Sequence, residues 1–185
     1  MTKTKKLLIA AVCLVAILTT AVVGTIAWLT DKTETITNTF SPSNIGLELE
    51  ENDFNGKMVP GTEITKRATV TVTNDIDCYV FIQIAESDNL DTFITYAVAD
   101  GWTLVTGTTN VYSRLVEDDA TVKAFSVLKN DKVTVNGSVT EGMMESLTDA
   151  TKYPTLSFTA YACQKEGFAN AAAAWTEAQK LDTNP

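Results

Sequence analysis

Three features of the chain predict an all-β fold, a two-sheet antiparallel sandwich of jelly-roll-like type. Runs of Val, Ile, Thr and aromatic residues alternate with polar ones at period 2, turn-forming pairs separate those runs, and helical periodicity is confined to one late segment and one short stretch before it. Alternation of this kind fits half-buried strands, because successive side chains point to opposite faces. Short strands punctuated by turns suit two stacked antiparallel sheets, with a barrel as the competing architecture.

The chain opens with something other than a strand. Lys3, Lys5 and Lys6 form a basic head, and Leu7 to Val23 is apolar apart from Thr19 and Thr20. Gly24 ends that run, and Thr25 and Ala27 place small residues where a signal peptidase reads them. Basic, apolar, small is the order of a secretory signal, so residues 1–27 are expected to be cut away at the Ala27–Trp28 bond. A run that stayed uncut would instead tether the domain, since about 17–25 apolar residues cross a bilayer; this is the one expected involvement of a membrane. Cys13 lies inside the apolar run behind Ala10-Ala11-Val12, which is no lipobox, and reads as filler.

Residues 28–44 form an extended segment. Thr35–Phe40 is rich in β-branched residues, and Trp28, Ile36 and Phe40 share one alternation phase. The sandwich domain is expected over 45–185. Ile45, Leu47 and Leu49 share a face in the first of its strands, as do Ala68, Val70 and Val72 in a strand predicted over Ile64–Thr73. Cys78–Ala85 is the most apolar run and reads as a central strand. Further strands are predicted at Phe93–Val98, Trp102–Val105, Val111–Val116, Thr121–Leu128, Lys132–Val135 and Leu156–Cys163. Pro60-Gly61, Asn74-Asp75, Asp100-Gly101, Asn130-Asp131 and Asn136-Gly137 are the turns, through a preset proline φ or tolerance of positive φ. A short helix fits Glu141–Thr148. A clearer one fits Gly167–Lys180, where Phe168, Ala171, Ala172, Trp175 and Ala178 make an apolar stripe expected to dock over an edge or end of the sandwich; service as a partner-binding helix is the alternative.

Composition narrows the chemistry. The cut removes three of fourteen basic residues and none of twenty-three acidic ones, taking the formal charge from −9 to −12, and 27 of 185 residues, leaving 158. That length supports one domain with a real core. So acidic a surface disfavours nucleic acid and anionic lipid as partners. There is no histidine, which removes Ser-His-Asp and Cys-His catalysis, the HExxH zinc helix and most transition-metal sites. No glycine-rich phosphate loop occurs, Leu181–Pro185 is neither an apolar nor a basic tail, and no catalytic residue, metal ligand set or cofactor is expected. The acidic turns at Asp75/Asp77, Asp88/Asn89/Asp91 and Glu117-Asp118-Asp119 could offer oxygen ligands to calcium, but none has EF-hand spacing and solvated turns are the plainer reading. Cys78 and Cys163 are the candidate disulfide in an oxidising exterior. Alternation opposes it: Cys78 shares phase with Val80, Ile82 and Ile84, whereas Cys163 shares phase with Ser157, Thr159 and Tyr161.

The run Gly24-Thr-Ile-Ala-Trp-Leu-Thr-Asp31, then Asn38-Thr-Phe40 and Gly46-Leu-Glu-Leu-Glu50, resembles the start of the TasA/camelysin family of exported proteins of Gram-positive bacteria. Pro60-Gly61, Ala68–Thr73 and Asn74-Asp-Ile-Asp-Cys-Tyr-Val80 continue the likeness over roughly the first eighty residues, and beyond them it rests on strand spacing and the late Phe168…Trp175 helix. The resemblance implies a jelly-roll-like sandwich, cleavage by a dedicated signal peptidase of the SipW type, and a role in extracellular fibres or biofilm matrix, with the chain itself and other matrix proteins as partners. It also implies that the freed N-terminal segment, Trp28 to about Phe40, completes a sheet of the next subunit, with Trp28, Ile36 and Phe40 filling pockets. The metallopeptidase activity ascribed to camelysins is not carried over, since no histidine ligand exists. A self-assembling secreted structural protein is therefore the expected function. A monomeric surface binding module, reading ligands through loops such as Glu86–Asp91 or Val105–Asn110, is the alternative.

Overall fold

Alternation becomes burial along most of the chain. The computed structural model describes residues 43–51 and 57–183; the signal, the cleavage residues Thr25, Ala27 and Trp28, the Thr35–Phe40 strand and the donor positions Ile36 and Phe40 lie outside them. A compact unit spans Pro42–Pro185. Among its described residues the strands are β1 (Ile45–Glu51), β2 (Glu63–Thr65), β3 (Ala68–Asn74), β4 (Cys78–Glu86), β5 (Ile94–Val98), β6 (Thr103–Leu104), β7 (Val111–Val116), β8 (Ala124–Ser126), β9 (Leu128–Val135) and β10 (Leu156–Gln164). The helices are α1 (Leu90–Phe93), α2 (Glu141–Glu145) and α3 (Ala171–Ala178).

The ladders are all antiparallel. They form one sheet ordered β10-β4-β7-β6 and two three-stranded sheets, β1-β3-β8 and β2-β9-β5. The two smaller sheets share one bent layer, because β2 runs into β3 and β8 into β9. Hydrogen bonds from Lys66 N–H to the Asp131 carbonyl and from Val127 N–H to the Ala68 carbonyl, both 2.8 Å, carry the pairing across the bend. The chain crosses between layers from β3 to β4, β4 to β5, β5 to β6, β7 to β8 and β9 to β10, as a jelly-roll-like sandwich does. Between the layers lie Ala68, Val70, Val72, Val80, Ile82, Ile84, Val116 and Leu128, all buried.

Several local expectations change. The strand predicted over Thr121–Leu128 becomes β8 and the start of β9, parted at Val127. The strand predicted over Ile64–Thr73 breaks at Lys66-Arg67, where its partner bulges. The register of β5 on β9 jumps from Tyr96↔Val133 to Val98↔Leu128, so β9 carries extra residues there. Asn130 and Asp131 do take positive φ, 57° and 55°, but inside β9, where they make a bulge in place of the predicted turn; such bulges bend a strand. Finally, one helical turn precedes β5, which starts at Ile94 and not Phe93.

The late helix is shorter than the Gly167–Lys180 expected, and it covers a face of the sheet where an edge or end was predicted. Asn170 caps it, its side-chain oxygen accepting the Ala173 N–H at 3.0 Å. Ala174, Trp175 and Ala178 are buried against Phe81, Val105, Val111 and Tyr161, with Phe168, Ala171, Ala172, Tyr79 and Cys163 around them. Trp175 meets Phe81 at 5.4 Å and Tyr161 edge-on at 5.0 Å between ring centroids. The outer face of β4 and β10 is therefore a second core, and Phe81, fully buried there, contributes about 1.5–3 kcal/mol relative to exposure.

Candidate functional site

Cys78 and Cys163 are both free. Register explains why no bridge joins them. Cys163 pairs with Tyr79 and Cys78 with Gln164, so the thiols sit on adjacent strands but on opposite faces, Cys78 in the inter-layer core and Cys163 against α3. The candidate disulfide is thus replaced by two separate thiols. Burial pushes the Cys78 thiol up to about 11 and raises that of Cys163, which makes both poor nucleophiles at neutral pH.

The fold gathers two of the acidic turns. Asp75, Asp77, Asp118 and Glu166 line one hollow with Lys165. Lysines offset part of that charge: Lys165 Nζ donates to the Asp77 carboxylate at 2.8 Å, and Lys123 Nζ donates to the backbone carbonyls of Asn74 at 3.0 Å and Asp118 at 2.8 Å. The bond from Lys165, joined by the Asp118 N–H, holds the Asp77 carboxyl below its ordinary value. In the third turn the Asn89 side chain accepts from the Ser87 hydroxyl and donates to the Lys152 carbonyl, tying the turn to a distant segment of the chain. Among the described residues no three His, Cys, Asp or Glu side chains are grouped to hold a metal ion.

The loops named as recognition candidates emerge together, since Ile84 N–H donates to the Asn110 carbonyl and the Asn110 amide donates back to the Ile84 carbonyl, each at 2.9 Å. Their polar side chains are taken up by the fold: Thr108 donates to the Val105 carbonyl at 2.8 Å within its loop, while Asn89 and Asn110 donate to carbonyls outside theirs.

The feature with most bearing on assembly is a seam that single-strand reasoning missed. Among the described residues β1 pairs only with β3, and β10 only with β4. These two edges lie side by side, with Cα atoms within 8 Å, and no ladder joins them among those residues. Among the described strands each therefore has one outer row of backbone donors and acceptors without a ladder, the arrangement that invites an added strand. Lys66 clasps the seam. Its ammonium lies 2.8 Å from Glu51 at the end of β1 and 5.3 Å from the centroid of the Phe158 ring on β10. Beside it opens a cavity of about 330 Å³ lined by Met58, Leu90, Ile94, Val133, Pro154 and Leu156. No sequence motif announces the seam, because it arises from which strands the topology leaves outermost.

No family model, no curated protein and no solved structure matches the chain. No helix among the described residues is long and apolar enough to cross a membrane.

Proposed function

We propose that the chain is a secreted structural protein of the cell surface or biofilm matrix, which assembles into fibres by donating its N-terminal strand to a neighbouring copy. The observation that carries this reading is the seam, where β1 and β10 run side by side with no ladder between them among the described residues. A donated strand would find backbone partners on one or both edges, and an apolar cavity next to them for a large side chain. The sequence ahead of β1 suits the donor role: Thr35–Phe40 is β-branched, and Trp28, Ile36 and Phe40 share a phase. Because a strand presents every second side chain to the same face, those three would enter the acceptor together, with Asn38 between Ile36 and Phe40, while Thr35, Thr37 and Thr39 stay in water.

Secretion is the first step, and the leader supports it by its basic head, apolar run and small residues at Thr25 and Ala27. A signal peptidase is the first partner, and other copies of the chain are the next. Mass spectrometry of the exported protein tests this step. The expected first residue is Trp28; a chain still beginning at Met1 would leave the segment tethered at its own membrane and remove the donor from play.

A further inference from the structure

Arg114 stands out as a cation without a carboxylate. It lies on β7 opposite Val80 of β4, in phase with Tyr112 and Val116, so its side chain turns between the layers. Its guanidinium carbon is 4.3 Å from the centroid of the Phe125 ring and 5.2 Å from that of Trp102. Nη2 donates to the Asp100 carbonyl at 2.6 Å, while Nε is buried with no acceptor. No ion pair reaches Arg114 among the described residues, although the chain holds 23 acidic residues against 14 basic ones and Glu117 lines the same hollow. Burial lowers its pKa below the ordinary guanidinium value, and a guanidinium stays protonated regardless.

The surroundings are fixed in advance. The Trp102 indole N–H is spent on the Ser126 carbonyl at 2.9 Å, which holds one aromatic wall, and Trp102 meets Phe125 edge-on at 6.5 Å. Gly101, at φ +90°, lies so close that a Cβ there would stand 2.0 Å from Nη2. The hollow over this group measures about 370 Å³, and Val116, Ala120 and Val122 give it apolar lining. Val122 is 62% exposed, so that wall is open to an incoming molecule.

We propose that this hollow binds a small carboxylate borne on an apolar group. A planar guanidinium can hold a carboxylate through two parallel N–H···O bonds, and pockets of about 300–1,000 Å³ suit small ligands. The apolar walls select a ring or short chain behind the charge. This site is independent of the β1/β10 seam and of strand donation.

The test is a titration of the isotope-labelled exported protein, followed by NMR, with benzoate as probe and benzamide as its neutral isostere. Benzoate is expected to give saturable shifts centred on Gly101, Arg114, Leu115 and Phe125, with benzamide at least about tenfold weaker, the factor that about 1.4 kcal/mol of ion pairing supplies. Arg114→Gln is expected to abolish the difference, and Arg114→Lys to keep the fold but weaken benzoate several-fold by losing the planar fork. Equal binding of benzamide, shifts centred elsewhere, no saturation by about 50 mM, about fifty times a millimolar Kd, or undiminished binding by a folded Arg114→Gln protein would each overturn the proposal. Should Arg114→Gln fail to fold because the Asp100–Gly101 turn loses its clamp, the benzoate and benzamide comparison on the parent protein decides alone.

Discussion

Cys78 shows how a single position in a ladder sets chemistry. One residue separates it in register from the pairing Cys163 makes, and that one residue sends the two thiols to opposite faces. Intact-mass analysis after alkylation in denaturant, without reductant, is expected to find both thiols free, and the native protein at pH 8 is expected to react slowly with Ellman's reagent at both. A mass two hydrogens lighter, with no alkylation, would contradict the register. Asp77 makes a second prediction. Its folded pKa lies below its ordinary 3.8 because Lys165 and the Asp118 N–H bond its charged form. A depressed carboxylate stabilises the fold fully above that ordinary value and loses the contribution as pH falls through the folded one. Asp77→Asn should therefore melt lower than the parent at neutral pH, with the gap closing from about pH 4 downward; a gap that stayed constant with pH would count against the pairing.

Elements show where sequence patterns carry and where they stop. Strand faces were legible, because Ala68/Val70/Val72 and Cys78/Val80/Ile82/Ile84 obey period 2 and are buried as a set. Asn130-Asp131 was legible as positive φ but not as a bulge, since a turn and a bulge demand the same backbone and only the partner strand distinguishes them. Asn130→Val and Asp131→Val should each cost about 1–2 kcal/mol, the penalty of a left-handed conformation for a residue with a full side chain, and equilibrium unfolding in urea would measure it. The helix α3 was legible by its stripe, but its seat was not, because Tyr161 shares its phase with Ser157 and Thr159 and so marks no apolar face. Trp175→Ala should cost about 3–5 kcal/mol and expose the outer face of β4 and β10. An unchanged midpoint would mean that α3 rests on the sheet without stabilising it.

At the scale of the whole molecule, the sandwich followed from alternation and turns, whereas the seam and the Arg114 hollow depend on which strands end up outermost and which side chains meet across layers. Those are properties of topology, on which one-dimensional periodicity is silent. The absence of histidine spoke to enzymatic chemistry directly, but no motif speaks to which edge an added strand would join. A polymer built by strand donation should also outlast its subunits against dilution, since each junction would exchange a full backbone ladder and not a few side-chain contacts. Electron microscopy of the exported protein, with and without residues 28–40, is the most direct check. Strand donation predicts fibres from the protein that begins at Trp28 and folded monomers from the one that lacks the segment; monomers from both, across pH and salt, or equal fibres from both, would contradict it.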